Sequence, residues 1–347
     1  MLDSFYLQLD GLFWITILIA MVAATVRGLA TDDPARAQAT GGVVMVVLMI
    51  VAIGLRPVDF YYVDMLTYAR VYQRFVAGYW SSFYEDWAFD LLTVIAALAG
   101  SVTFYFLLCA AFYIVPQAIA VRQMFGTRWP MALAVMASSF SFYAYGTNGI
   151  RNGIAVAFAL LVLATPKLWK KLLWAVLAAG FHFSVMLTFL AHAVALAIRS
   201  VPLSLGFWVL SIPAAILLPN ELVGNFVESI GDTRSDYFTS DQVEIARFRW
   251  DFIVYSAAGT AAIIYWKYVR GIEDEEFDLF ASTYLIANGG WILVNDVLFS
   301  NRFAYLSWFM IELVILFPML RNHSARATLP LALVLILLNA GLALVLR

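Results

Sequence analysis

Apolar runs long enough to cross a lipid bilayer follow one another down the chain, and nothing else about it restricts the fold so severely. A hydrocarbon core about 30 Å thick takes roughly 17 to 25 helical residues, and somewhat fewer where protein surrounds them. Stretches of this kind lie at 12–29, 41–55, 102–121, 129–145, 152–165, 202–218, 252–269, 278–297, 303–320 and 328–346. Hydrophobic residues make up 63% of the 347 and charged residues only 13%, too few to clothe a water-soluble fold. The expectation is an all-α, polytopic membrane protein with about ten transmembrane helices plus re-entrant or interfacial helices. Residues 1–347 read as a single membrane domain, without repeats or a separate soluble part.

The polar residues exclude several functions. Net charge is −2, and basic residues are scattered through loops instead of forming a stripe, so nucleic acid is not expected as a partner. Cys109 is the only cysteine, which allows no intrachain disulfide and no thiolate cluster. No His-x-x-x-His, Cys-x-x-Cys, Gly-x-x-x-x-Gly-Lys or Gly-x-Ser-x-Gly is present, which disfavours metal hydrolysis, direct ATP use and serine-hydrolase chemistry. Neither a metal nor a cofactor is expected. Met1 to Asp10 has aspartates and no basic residue, unlike a cleavable signal, so 12–29 reads as a retained first span.

Two stretches do not fit simple crossings. Trp87 to Ala99 is apolar but short, whereas Leu172 to Ile198 is too long for one span and is interrupted by Gly180-Phe-His-Phe-Ser184. Glycine followed four residues later by serine is the usual order of a helix stop and a new N-cap. Two half-helices meeting at His182 are therefore expected. The ten residues from Leu172 to Phe181 rise about 15 Å, which places His182 near the bilayer midplane.

With that re-entrant reading, Arg27, Arg36, Arg122, Arg128, Lys167, Lys170, Lys171, Arg199, Lys267, Arg270, Arg321 and Arg326 share one side, cytoplasmic by the positive-inside rule. Arg56, Arg151, Arg247, Arg249 and Arg302 collect on the outer face. Two outer segments, 56–87 and 219–251, are large enough to act. Within the first, Met65, Tyr68, Ala69, Tyr72, Phe75, Val76 and Tyr79 share one helical face and Arg70, Gln73 and Arg74 the other, the pattern of an interfacial helix. In the second, Thr239-Ser-Asp-Gln242 resembles a capping box opening a short amphipathic helix.

Ionisable groups at membrane depth are costly and point to function. Arginines among boundary tyrosines and tryptophans suit a ligand both anionic and lipidic, because guanidinium binds phosphate oxygens in a bidentate fork. Some, such as Arg70 and Arg74, read more simply as snorkelling to headgroups. Arg151 differs, since Gly149 and Gly153 open the backbone to close approach by a ligand. His182 reads as a general base, a donor to phosphate, or a core histidine; His192 and His323 read as structural. Asp59, Asp64, Glu85, Asp86, Asp232, Asp236, Asp241, Glu244 and Asp251 are outer carboxylates, each a candidate base or arginine partner. Asp64 stands out beside Tyr68, where a base can meet a sugar. Glu312 and Asp296 are expected to pair with polar or basic neighbours, Asp296 with Arg302.

Gly149-Ile-Arg-Asn-Gly-Ile-Ala155, the lysine-rich loop after it and Ala179-Gly-Phe-His-Phe-Ser184 resemble the central motifs of the EpsG family, exopolysaccharide-polymerising proteins related to the Wzy polymerases. Arg56 with Asp64-Met-Leu-Thr-Tyr68 and Asn301-Arg-Phe-Ala-Tyr305 are similar to flanking elements; Asn152 stands where the family has glutamine. The resemblance implies a GT-C-like glycosyltransferase of the bacterial inner membrane, its active site facing the periplasm. It would take a growing glycan off one undecaprenyl diphosphate and join it to a hydroxyl of the next lipid-linked oligosaccharide. Arg151, Arg56 and Arg302 are then expected at the diphosphate, with Asn152, Tyr68, Arg247 and Arg249 as further substrate contacts and His182 and Asp64 as competing bases. Membrane lipid, a chain-length regulator and export machinery are the implied partners. An O-antigen-ligase-like transferase, a lipid-sugar flippase and a membrane acyltransferase stay open as alternatives.

Overall fold

The computed structural model describes residues 34–59, 62–80, 86–217, 248–295 and 300–345, together with Phe13 and Ile19. The remainder of the expected span at 12–29, most of the outer segment at 219–251 with its capping sequence, Glu85, Arg247 and Asp296 lie outside the described residues. Among those described there are helices and no strand. They gather in two compact units, one made of the residues up to His182 with 319–347, the other running from Phe183 to Pro318.

The first unit holds α1 (Pro34–Gly54), α2 (Val63–Val76), α3 (Trp87–Leu98), α4 (Val102–Phe125), α5 (Trp129–Ala137), α6 (Phe140–Thr147), α7 (Ile150–Ala164) and α8 (Leu168–Phe181). The second holds α9 (Met186–Ile198), α10 (Val201–Leu217), α11 (Trp250–Ile264), α12 (Glu275–Ile292) and α13 (Ser300–Trp308). After these come α14 (Ile311–Asn322), in which the second unit gives way to the first, and α15 (Ala325–Val345).

Val102–Ala137 and Arg302–Asn322 are helical runs long and apolar enough to cross a membrane. Ala39–Gly54, Trp87–Leu98, Ile150–Ala164, Phe183–Ile198, Val201–Leu217 and Ala327–Leu342 are shorter apolar helices. Their outward faces, and those of α8 and α11, carry Leu98, Val176, Leu203, Leu210, Val254 and Leu337, each with more than half its surface uncovered. Contiguous apolar faces of this kind are rare in water and ordinary against lipid.

Small polar residues break helices that hydropathy alone reads as continuous. The stretch 129–145 divides at Ser138 and Ser139. Ser139 is extended and its hydroxyl accepts the Phe142 N–H at 3.2 Å, opening α6, while Ser138 Oγ donates to the Val135 carbonyl at 2.6 Å and accepts from Asn339 Nδ2 at 3.0 Å. Two other stretches are interrupted without a serine cap: 303–320 divides after Trp308, at Phe309 and Met310, and 252–269 passes from α11 into a π-helical turn at Tyr265–Val269. The start of α12 follows capping rules closely. Asp274 accepts the N–H groups of Glu276 and Phe277 at 3.0 Å, and acidic Glu275, Glu276 and Asp278 fill the positive first turn.

In the second unit a satisfied polar network ties the apolar helices together. Asn288, wholly buried, accepts from Trp208 Nε1 at 2.7 Å and donates to Ser256 Oγ at 3.1 Å and Ser307 Oγ at 2.8 Å. Trp308 Nε1 also donates to Ser256 Oγ, at 2.7 Å. Bonds of this type hold helices together where the surroundings are as apolar as the side chains. His192, expected to be structural, lies 3.0 Å from Thr283 Oγ1 through Nδ1. Glu312 is buried in the same unit.

Candidate active site

The break expected between 172 and 198 falls at His182, though for a different reason than glycine stopping one helix and serine capping the next. Gly180 is helical, and the space its missing side chain leaves is filled by the Trp87 indole: a Cβ there would stand 2.4 Å from Trp87 Cε2. Phe181, the last residue of α8, is clamped between Phe158 of α7, stacked at 5.5 Å, and Phe112 of α4 at 5.7 Å. His182 then leaves the helix in extended conformation, Phe183–Val185 forms a 3-10 turn, and α9 opens without a side-chain cap from Ser184.

Because Trp87 lies on Gly180, the residue before it, Asp86, is brought to His182. Asp86 occupies the N-cap of α3, yet its side chain makes no capping bond to that helix. Its Oδ1 lies 3.0 Å from His182 Nδ1, and its Oδ2 accepts from Arg151 Nη1. The Asp86 side chain is 9% exposed, against 20% for His182 and 31% for Arg151, so the carboxylate is the covered centre and the two basic groups are its accessible ends. Burial opposes the negative charge. The hydrogen bond from His182, the charge the imidazole carries when protonated and the positive field of Arg151 together outweigh it, holding the carboxyl below its usual range. With Nδ1–H donated to a carboxylate, the lone pair of the imidazole is directed to Nε2, which has no protein partner among the described residues.

Arg151 sits in the first turn of α7, and the turn before it is braced from two sides. Gly149 is the left-handed N-cap, with φ 68° and ψ 35°, a conformation glycine adopts without strain. Its N–H donates to Asp64 Oδ2 at 2.7 Å, and Asn148 Oδ1 accepts the Asp64 N–H at 3.4 Å. From the other side Arg56 donates to the Thr147 carbonyl at 3.1 Å and to the Ile53 carbonyl at 2.5 Å. Gly153 faces protein, not open space; a Cβ there would stand 2.8 Å from the Tyr145 carbonyl oxygen. The aromatic face of α2 is likewise covered by protein over most of its length. Tyr68 packs on Phe89 at 5.4 Å with the Arg151 guanidinium 6.0 Å from its ring, Tyr72 stacks on Tyr105 at 5.5 Å, and Val76 and Tyr79 alone of that face are well exposed.

The structure therefore brings together His182, Arg151, Tyr68 and Asp86, with Asp64 and Arg56 holding the turn behind them. Asn152 is 6% exposed, and its Oδ1 accepts no hydrogen bond among the described residues. Arg302 and Arg249 belong to the second unit. There Arg249 pairs with Asp251 through Nε at 2.9 Å and Nη2 at 2.7 Å and covers the Phe252 ring at 3.6 Å. In the sequence Asp86 is one outer carboxylate among many. The signal that separates it is its position directly before an apolar helix, beside a tryptophan large enough to need the gap at Gly180.

These observations define a class: a helical protein with lipid-compatible outer faces and, in its first unit, a buried carboxylate joining an arginine to a histidine. Over residues 42–346 it matches the EpsG family, and the chain belongs to that family. Membership carries with it a membrane protein of the polysaccharide-polymerase, glycosyltransferase type. Comparison with curated proteins and with solved structures gave no match.

Proposed function

We propose that this protein polymerises undecaprenyl-diphosphate-linked oligosaccharide repeats on the outer face of the cytoplasmic membrane, through about ten spans of a GT-C-like architecture. The observation that carries the reading is the Asp86 carboxylate joining Arg151 to His182. In the reaction, an acceptor hydroxyl on one lipid-linked repeat attacks the anomeric carbon of the glycan held on another. The new C–O bond forms as the bond to the diphosphate oxygen breaks with its electron pair, and the hydroxyl proton goes to Nε2 of His182. Arg151 meets the charge that develops on the diphosphate, and Asp86 stabilises the imidazolium. Arg302, Arg249 and Arg247 supply further cations toward lipid phosphates, and Asn152 Oδ1 accepts a sugar hydroxyl. A chain-length regulator and export machinery receive the product.

Purified protein in detergent, given a defined lipid-linked oligosaccharide and no nucleotide, is expected to yield a ladder of longer lipid-linked products on a gel. Unchanged substrate moved between the leaflets of a proteoliposome would replace the polymerase with a flippase. Asp64, the competing base, is assigned a scaffold role because its carboxylate is bonded to the Gly149 N–H. Asp64→Asn keeps one oxygen for that bond and is expected to lower the rate by about tenfold or less, against the roughly 10²- to 10⁴-fold typical of a lost general base. A loss in the larger range would return the base to Asp64.

A further inference from the structure

One carboxylate serving two basic groups has a consequence beyond holding them. We propose that Asp86 is a positioning residue that couples donor binding to the base: a lipid diphosphate arriving at Arg151 draws the guanidinium toward itself and leaves the Asp86 carboxylate to His182. The inference rests on the polymerase reading for the identity of the anion. It is carried by the geometry of two bonds from one buried side chain, Oδ2 to Arg151 and Oδ1 to His182.

In the free protein the negative charge of Asp86 is divided between a fixed cation and an imidazole. Other titratable groups are near. Tyr68 of α2 faces Arg151, with Asp64 of the same helix close enough to act on that tyrosine; Tyr105 of α4 lies behind; and Asp90 follows one turn along α3, its N–H donating to the Asp86 carbonyl. Of these, Arg151 and His182 alone have their side chains hydrogen-bonded to the Asp86 carboxylate among the described residues. A diphosphate at Arg151 replaces Asp86 as the partner of that cation. The carboxylate then acts on the imidazole undivided, and the imidazole becomes the stronger base when the donor is in place. Affinity linkage makes the effect reciprocal: protonation of His182 must strengthen diphosphate binding by the same factor. The base is thus weakest when no donor is bound.

The test reads His182 directly. Diethyl pyrocarbonate acylates neutral imidazole, and mass spectrometry of the His182 peptide distinguishes it from His192 and His323. The pH midpoint of acylation in the purified full chain is expected to rise by about one unit when undecaprenyl diphosphate is added. In Asp86→Asn the midpoint without ligand is expected to fall by about one unit, since a carboxylate partner has been lost, and the ligand-induced rise to shrink. Asp86→Glu, which keeps the charge on a longer arm, is expected to hold the parental midpoint while kcat falls, and it covers the case in which Asp86→Asn does not fold. A midpoint in Asp86→Asn equal to the parent's, with or without undecaprenyl diphosphate, overturns the proposal. The polymerase reading fails separately: a parent protein that makes no ladder yet shows the Asp86-dependent midpoint has the coupling and another reaction, whereas an active parent with an unmoved midpoint has the reaction without the coupling.

Discussion

His182→Gln is expected to slow polymer growth by roughly 10²- to 10⁴-fold while leaving the purified protein folded. The substitution is chosen for what it keeps. A glutamine amide can still donate to Asp86, so the buried carboxylate retains a partner, and a side chain already 20% exposed leaves no sealed cavity. What it lacks is any atom that takes up a proton near neutral pH. Arg151→Gln makes the complementary comparison. It is expected to lower the rate by roughly 10²- to 10³-fold through loss of the cation at the departing diphosphate. It should also lower the melting temperature, because Asp86 would keep its burial and lose its charged partner. The two variants therefore differ in stability more than in rate. Polymer growth at the parental rate in His182→Gln membranes would remove the histidine from the chemistry.

How much of this is legible in the sequence depends on whether a feature is local. The break at His182 can be read, because an apolar run too long for one span must be interrupted somewhere and the polar residue marks the place. Arg151 can be read for a similar reason, lying between glycines that both prove to have tight conformational or packing duties. The reason for each glycine cannot. Gly180 has the look of a helix stop and is instead a gap for Trp87, a residue more than ninety positions earlier. The sequence singles out Asp64, beside Tyr68 on an amphipathic helix, and leaves Asp86 among the other outer carboxylates; only the tertiary fold shows that Asp64 braces the Asn148–Gly149 turn and that Asp86 is the one that meets His182. Hydropathy also merges helices that serines divide, since a window average does not register that Ser139 caps a new helix. Arg56 illustrates the same limit. Its charge marks it for an anion, and the structure has it donating to main-chain carbonyls at the end of α6 and near the end of α1.

Gly180→Val is the second large effect expected, and it acts on the site without touching a polar atom. Any Cβ at this position would lie 2.4 Å from Trp87 Cε2 and 2.6 Å from its Cζ2 and Nε1, well inside contact distance. An indole is rigid, so relief requires that the ring or α8 move. The end of α8 is held by Phe181 between Phe112 and Phe158, which leaves Trp87 as the group that shifts. Asp86 is bonded to it through the backbone and must move with it, away from His182 and Arg151. Overpacking of this kind costs about 1–3 kcal/mol, and a displacement near 1 Å at a catalytic pair is enough for a loss on the order of 10²-fold in rate. Gly206→Ala is the control: it also lies within an apolar helix, nothing stands within 4 Å of its added Cβ, and both stability and rate are expected to hold. A second change distinguishes this cause from a general weakening of α8. Trp87→Leu combined with Gly180→Ala removes the collision while keeping an apolar side chain, and the pair is expected to be more active than Gly180→Ala alone, a coupling that distant independent substitutions do not give. Additive losses in that double variant would mean that Trp87 does not carry Asp86 to its place.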